Sequence, residues 1–385
     1  MENTAPTNGL PAPTGRHAVG RISDEWVDPS RAEIYSEDPA DRRELVVWIW
    51  YPATPDPGAE RAAYLPEPWA PTAQFLGLEV KGLPAHAVAD APVSDAASRY
   101  PVLILSPSGF PPLYMTALAE ELASHGYIVV GVNHTYETTV TAFDDGRIVA
   151  LNPAAVAGAL GPQTGSHDEV FRARAAVCEH KAIDLAFVAD QLERSDPTSH
   201  VGGRVDADRI GALGHSFGGV AALEWCRRDP RCRAAINLDG AIWTDVATAG
   251  LERPALQVLA DHHEFDVSAE DAVKMGMAPD TEWFEAEKAI TFGGWRSLHE
   301  RAKWGYTVRI AGASHLSFMD VPFLPVQDGA AVTSMLAGTT IDPARMWRIT
   351  SDVVLAFFAK HLDGQSAPLL DGPNPTYPEL TFGPP

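Results

Sequence analysis

Short apolar runs recur along the chain, separated by mixed stretches. Residues 44–51 (ELVVWIWY) are rich in β-branched and aromatic side chains and end at Pro52, which predicts a strand. Residues 101–106 (PVLILS), 127–132 (YIVVGV), 210–215 (IGALGH), 234–238 (AAINL), 255–260 (ALQVLA) and 306–310 (YTVRI) predict further buried strands. Between them lie stretches of helical period over 116–126, 178–194, 217–228 and 346–361. The second of these gathers Ile183, Phe187, Val188 and Leu192 on one face, and the last gathers Val353, Val354, Phe357 and Phe358. Fully apolar strands alternating with helices imply a mostly parallel sheet covered on both faces, an α/β architecture. Residues 1–20 are expected to form an arm laid over the surface. Residues 21–385 are expected to form one domain with insertions at about 53–98, 136–170 and 262–300 that wall or lid a pocket. No internal repeat and no linker between two cores interrupts this pattern.

Composition narrows the function. The chain has 385 residues, 45% of them hydrophobic, enough for a sizeable core. Lys and Arg total 29 against 51 Asp and Glu, a formal net charge of −22. That excess argues against nucleic acid as a partner, since nothing would neutralise phosphates. No run reaches the length of a membrane span, and no basic amphipathic stretch predicts membrane docking. The N-terminus lacks a basic start followed by an apolar core, so a cytoplasmic protein is expected, secretion following only if a leader has been removed. Cys178, Cys226 and Cys232 do not make a disulfide framework. They are expected to be free thiols, with Cys226 and Cys232 able to pair in an oxidising compartment.

The candidate chemistry sits just after the strands, where open α/β sheets place their sites. IGALGHSFGGV (210–220) contains Gly-x-Ser-x-Gly between a strand and a helix, the arrangement that holds a serine hydroxyl exposed on a tight turn. Ser216 is therefore the expected nucleophile. Asp239 follows the next strand, Asp261 the one after, and His315 follows the last. The order Ser, Asp, His is that of the α/β-hydrolase arrangement. A serine needs a base to remove its proton, and His315 supplies one. A carboxylate must hold that imidazole in the right tautomer, and position alone slightly favours Asp261 over Asp239. The oxyanion would be met by the N–H of Phe217 and by one from the loop after 101–106, at Phe110. Ser108, Gly109, His134 and Trp243 are candidate pocket residues, with His134 equally able to end a strand. His215 is expected to pack. The run His262-His263-Glu264 lacks the one-face spacing of a zinc-binding helix and is expected to be a surface cluster. No metal and no cofactor is expected.

Several blocks together resemble a known family. TGRHAVGRISDEWVDPSR (14–31), RRELVVWIWYPA (42–53), ELASHGYIVVGVNH (121–134), VDADRIGALGHSFGG (205–219), INLDGAIW (236–243), ASHLSFMD (313–320) and FFAKHLDGQSAPLLDGP (357–373) look like the α/β-hydrolases similar to the plasma-type platelet-activating factor acetylhydrolase. More distantly they resemble cutinase-like polyester hydrolases. The resemblance implies that the acid is Asp239, in the Leu-Asp-Gly block, which reverses the positional preference. It implies His315 as base. Where the family's oxyanion loop begins with His-Gly, this chain has Ser108-Gly109-Phe110. It further implies calcium-independent cleavage of short or modified acyl esters through an acyl-enzyme, with a small soluble ester and water as reactants. The same residues would serve an amidase, a lactonase or an acyl transferase of specialised metabolism, and a binding protein on this fold would have no use for them. The aromatics Trp283, Phe284, Phe292 and Trp295 in 262–300 would either shape a pocket or pack the insertion.

Overall fold

Side chains of a strand point alternately to its two faces, so a strand covered on both sides can be apolar throughout. The computed structural model describes residues 9–160, 166–194, 196, 198–262, 265–327, 332 and 336–384. Among them run β1 (Ala18–Ala32), β2 (Arg42–Ala53), β3 (Arg61–Ala63), β4 (Pro84–Ala89), β5 (Tyr100–Ser106), β6 (Ile128–His134), β7 (Val140–Ala142), β8 (Ile148–Ala150), β9 (Val205–His215), β10 (Cys232–Leu238), β11 (Leu251–Leu259), β12 (Ala302–Ile310) and β13 (Leu380–Phe382). Helices are α1 (Ala70–Leu76), α2 (Thr116–Ser124), α3 (Pro153–Leu160), α4 (His167–Glu193), α5 (Phe217–Arg228), α6 (Val246–Ala249), α7 (Ala269–Lys274), α8 (Thr281–Arg301) and α9 (Pro343–Leu362). On β2, Val46, Trp48 and Trp50 join one core with α2 and α9, through Leu118, Leu122, Val353 and Phe357. Leu45, Val47 and Ile49 join the other, with α4, α5 and α8, through Leu185, Trp225 and Trp295.

The sheet orders its strands β13-β12-β11-β10-β9-β5-β6-β2-β1-β4-β3, and β7 pairs with β8 outside it. The central six, from β12 to β6, are parallel. β2 and β13 flank them antiparallel. This is the α/β-hydrolase fold. From β5 the chain steps outward to β6, then returns past β5 to lay down β9 on its other side. That reversal opens a crevice at the carboxyl ends of β5 and β9, where such sheets bind ligands.

Several expectations need correcting. β1 begins at Ala18, inside the stretch expected to be an arm, and pairs with β2 from Ala18↔Ala53 onward. The ranges 53–98 and 136–170, expected as insertions, hold elements of their own: β3, α1 and β4 in the first, and the β7–β8 hairpin, α3 and the start of α4 in the second. α4 starts at His167 rather than Cys178, because Ser166 and Glu169 form a capping box ahead of a first turn with little apolar pattern. The free-thiol expectation fails for Cys226 and Cys232, which form a disulfide, while Cys178 is free and buried. The last turn of α5 and the Asp229 turn bring their Cα atoms to 4.9 Å. So short a loop contributes about 2 kcal/mol by chain entropy. A Cys226→Ser/Cys232→Ser variant is expected to lower the urea unfolding midpoint accordingly. An unchanged midpoint would show that the bridge adds no stability. No helix among the described residues is long and apolar enough to cross a membrane.

Candidate active site

Ser216 sits between β9 and α5 with φ 57° and ψ −125°, a backbone region that L-residues rarely occupy. The neighbouring glycines allow this. A Cβ on Gly218 would lie 2.0 Å from the Ser106 carbonyl oxygen, and one on Gly214 would lie 2.4 Å from the Gly218 carbonyl. Only hydrogen fits at either place, so the two glycines let β5, β9 and α5 close on one another beneath the serine. The Ser216 N–H donates to the Leu238 carbonyl at 2.9 Å, tying the turn to the end of β10.

Asp239 follows β10 with φ 62°. Asn237 folds the chain around it, accepting from the Gly240 N–H at 2.9 Å and donating to the Gly240 carbonyl at 2.7 Å. Trp295 of α8 donates its indole N–H to the same carbonyl at 2.9 Å. The Asp239 side chain is fully buried. Its Oδ2 lies 2.7 Å from His315 Nδ1, and its Oδ1 accepts from the Ala260 N–H and meets His262 Nε2, both at 2.7 Å. Burial alone would push this carboxyl up. The charge and hydrogen bond of His262, and then those of His315, outweigh burial and hold it well below the usual carboxylate range.

His315 opens a short turn after β12 and is 45% exposed, so its ring borders both the acid and solvent. Asp261, the alternative acid, lies in the same turn region. It accepts from the Gly312 N–H at 2.6 Å, and its own N–H donates to the Ala313 carbonyl at 3.1 Å. It therefore shapes the turn that presents His315. His215 is buried, with its ring centroid 4.4 Å from that of His315 and its Nε2 donating to the His315 carbonyl at 2.8 Å. Burial, reinforced by His315, pulls His215 down to about 3. It stays neutral and can make that donation at ordinary pH.

The remaining candidates divide. The Phe217 ring packs 4.8 Å from Trp243, beside the first turn of α5. Trp243 also walls a groove of about 610 Å³ with Phe171, Ala175 and Thr244. Arg174 lies over the Trp243 ring at 5.3 Å and is held by Glu287. Ser108, Gly109 and Phe110 form a half-buried loop after β5, where a Cβ on Gly109 would meet only open space. His134 is not a pocket residue. It is fully buried, with Ser106 and Asp184 on its two ring nitrogens. The insertion aromatics are packing: Trp295 and Phe284 are buried, and Phe265 meets Phe284 and Phe292.

His262 is the residue that sequence reasoning placed wrongly. Expected on the surface, it instead packs against Trp295, ring centroids 4.6 Å apart and tilted by 43°, and bonds the carboxylate that His315 also bonds. The available signal was its place just after β11, beside Asp261. His263 and Glu264 lie outside the described residues. One group has metal-ligand geometry among the described residues, His134, Glu137 and Asp184. Arg43 already bridges its two carboxylates, at 3.0 Å and 2.6 Å, so the donor set is spent on a side-chain cation.

With this geometry in place, comparison with known proteins adds the following. A family model described as platelet-activating factor acetylhydrolase, isoform II, matches residues 180–369. A protein of Arthroderma benhamiae named "Probable 1-alkyl-2-acetylglycerophosphocholine esterase" is 30% identical over 295 residues, covering 73% of this chain and 66% of that protein. The platelet-activating factor acetylhydrolase of Bos taurus is 25% identical over 296 residues, covering 69% of this chain and 57% of that protein. The chain thus spans two thirds or less of the length of these relatives. The solved structure of a ferulic acid esterase from Streptomyces cinnamoneus superposes with a TM-score of 0.75 at 32% identity, covering 97% of this chain and 99% of that one.

Proposed function

We propose that this chain, which belongs to the α/β-hydrolases similar to the plasma-type platelet-activating factor acetylhydrolase, is a carboxylic ester hydrolase acting through an acyl-enzyme on Ser216. The observation that carries this reading is the 2.7 Å contact between His315 Nδ1 and Asp239 Oδ2, at strand ends on one side of a serine held on a strained strand-to-helix turn. Asp239 fixes the proton of His315 on Nδ1, leaving Nε2 as the base. The Ser216 hydroxyl gives its proton to that nitrogen as its oxygen attacks the ester carbonyl carbon. The N–H groups of Phe217 and Phe110 receive the oxyanion, each worth roughly 3–4 kcal/mol in such sites. His315 returns the proton to the leaving alcohol. Water, deprotonated by the same base, then attacks the acyl-serine carbonyl, and His315 returns that proton to the Ser216 oxygen as its bond to the acyl carbon breaks and the acid leaves.

The substrate is a small soluble ester rather than a lipid held in a bilayer. The Phe217–Trp243 pair beside the nucleophile favours a short or flat aromatic acyl group over a long chain. Support for the aromatic option also comes from the ferulic acid esterase at 32% identity. A panel of acetyl, butyryl, octanoyl and hydroxycinnamoyl esters, with matching anilides, tests this. Turnover of short or cinnamoyl esters with anilides inert is expected. Preference for octanoyl esters or for anilides would overturn the substrate assignment.

A further inference from the structure

Behind the crevice a buried serine, histidine and aspartate stand in hydrogen-bonded sequence. Ser106 Oγ is 2.9 Å from His134 Nε2, and His134 Nδ1 is 2.8 Å from Asp184 Oδ2. All three are fully buried. Arg43, also fully buried, reaches both oxygens of Asp184, at 3.1 Å and 2.6 Å. It also reaches Glu33 and Glu137, each at 3.0 Å, and the Thr135 carbonyl at 2.8 Å. Lys181 stands 3.9 Å from Glu137, His180 3.3 Å from it, and Arg31 reaches Asp184 from the rim. Burial, then the nearby Lys181, pull His134 down to about 4 against the opposing Asp184. The ring is therefore neutral, its proton faces Asp184, and its Nε2 accepts from the Ser106 hydroxyl.

Sealed from solvent and donating its proton away, Ser106 cannot meet a substrate. Its position explains the arrangement. It is the last residue of β5, paired in register with Gly214, and its carbonyl is the atom that excludes a Cβ from Gly218 under the nucleophile. The loop 107–110 departs from it. At its far end that loop is held by the Thr139 N–H, which donates to the Gly109 carbonyl at 2.9 Å. Thr139 belongs to the segment that begins at His134, where the Glu137 N–H donates to the His134 carbonyl at 2.9 Å. His134 therefore joins the start of the loop, through Ser106, to the segment whose backbone holds Gly109. Buried ion pairs of this kind are weak contributors to stability compared with apolar packing, so their geometry is the better guide to their use.

We infer that Ser106, His134 and Asp184 form a positioning relay that fixes the loop 107–110, so that the Phe110 N–H meets the oxyanion. This rests on the ester-hydrolase reading above. None of the three touches substrate. The relay acts by holding a donor where charge develops, so its loss falls on kcat rather than on KM.

The test uses the full chain and a small change, Ser106→Ala, beside a ring-preserving change, His134→Phe. Ser106→Ala is expected to lower kcat about tenfold with KM within about twofold. It is expected to weaken a boronic acid, which mimics the charged tetrahedral state, by the same factor. The double variant is expected to lose no more than either single one, since both break the same relay. Unchanged kcat and boronate affinity in Ser106→Ala, or losses that multiply in the double variant, would overturn the relay. If His134→Phe does not fold, the paired kcat and boronate measurements on Ser106→Ala decide alone. Fluorophosphonate labelling separates the two readings. An unlabelled Ser216 in the parent protein sinks the hydrolase assignment and the relay with it, whereas a labelled parent and an indifferent Ser106→Ala sink only the relay.

Discussion

Replacing Ser216 with alanine is expected to lower ester turnover by about 10⁴–10⁶-fold while leaving the unfolding midpoint nearly unchanged. The hydroxyl is the group that would bond the acyl carbon, and no neighbour can stand in for it. Alanine suffers the same backbone strain as serine at φ 57°, so the fold neither gains nor loses there. Glycine removes the strain. Ser216→Gly should be as inactive as the alanine variant yet more stable, by about 1 kcal/mol. Initial rates on an acetyl ester and urea denaturation of both variants check the pair. Turnover within tenfold of the parent in either variant would remove Ser216 from the mechanism.

Asp239→Asn is expected to lower kcat by about 10⁴-fold with the fold retained. The carboxylate takes Ala260 N–H and His262 on one oxygen and His315 on the other. An amide has a single oxygen. Turned so as to keep Ala260 and His262, it presents its NH₂ to His315 Nδ1. That nitrogen must then give up its proton, and the proton moves to Nε2, where a base is needed. Asp261→Asn is the control. Its carboxylate holds the Gly312 N–H, a task an amide oxygen can take over, so a loss of less than about tenfold is expected. Measuring kcat for both variants on the same ester decides. A collapse confined to Asp261→Asn would transfer the acid's role to Asp261.

Much of this was legible because the central strands are apolar on both faces. β5, β6, β9 and β10 can be little else, and the residues after them follow from where the strands stop. Ser216 and His315 carry local signatures, a glycine-flanked serine and a histidine after the last parallel strand. Asp239 and Asp261 each follow a parallel strand; position slightly favours Asp261, and only the family resemblance points to Asp239. Their hydrogen bonds differ, and those depend on how the β12 turn folds back. β1 was hidden because its pattern AVGRISDEWVDPSRA mixes charges into a strand with one partly exposed face. His262 and the Ser106–His134–Asp184 chain were hidden for a different reason. Their members are ordinary residues whose spacing, 28 and 50 positions, carries no period. Only the packing of α4 against β5 and β6 makes neighbours of them.

The outermost strands of the sheet, Arg61–Ala63 and Leu380–Phe382, are three residues long. A broad sheet invites another molecule to add a strand wherever a long row of amide and carbonyl groups lies open. Here each outermost strand offers only a stub, and the charge of −22 opposes the approach of like-charged copies. The eleven-stranded layer thus ends, on both sides, in a strand too short to serve as a template for another.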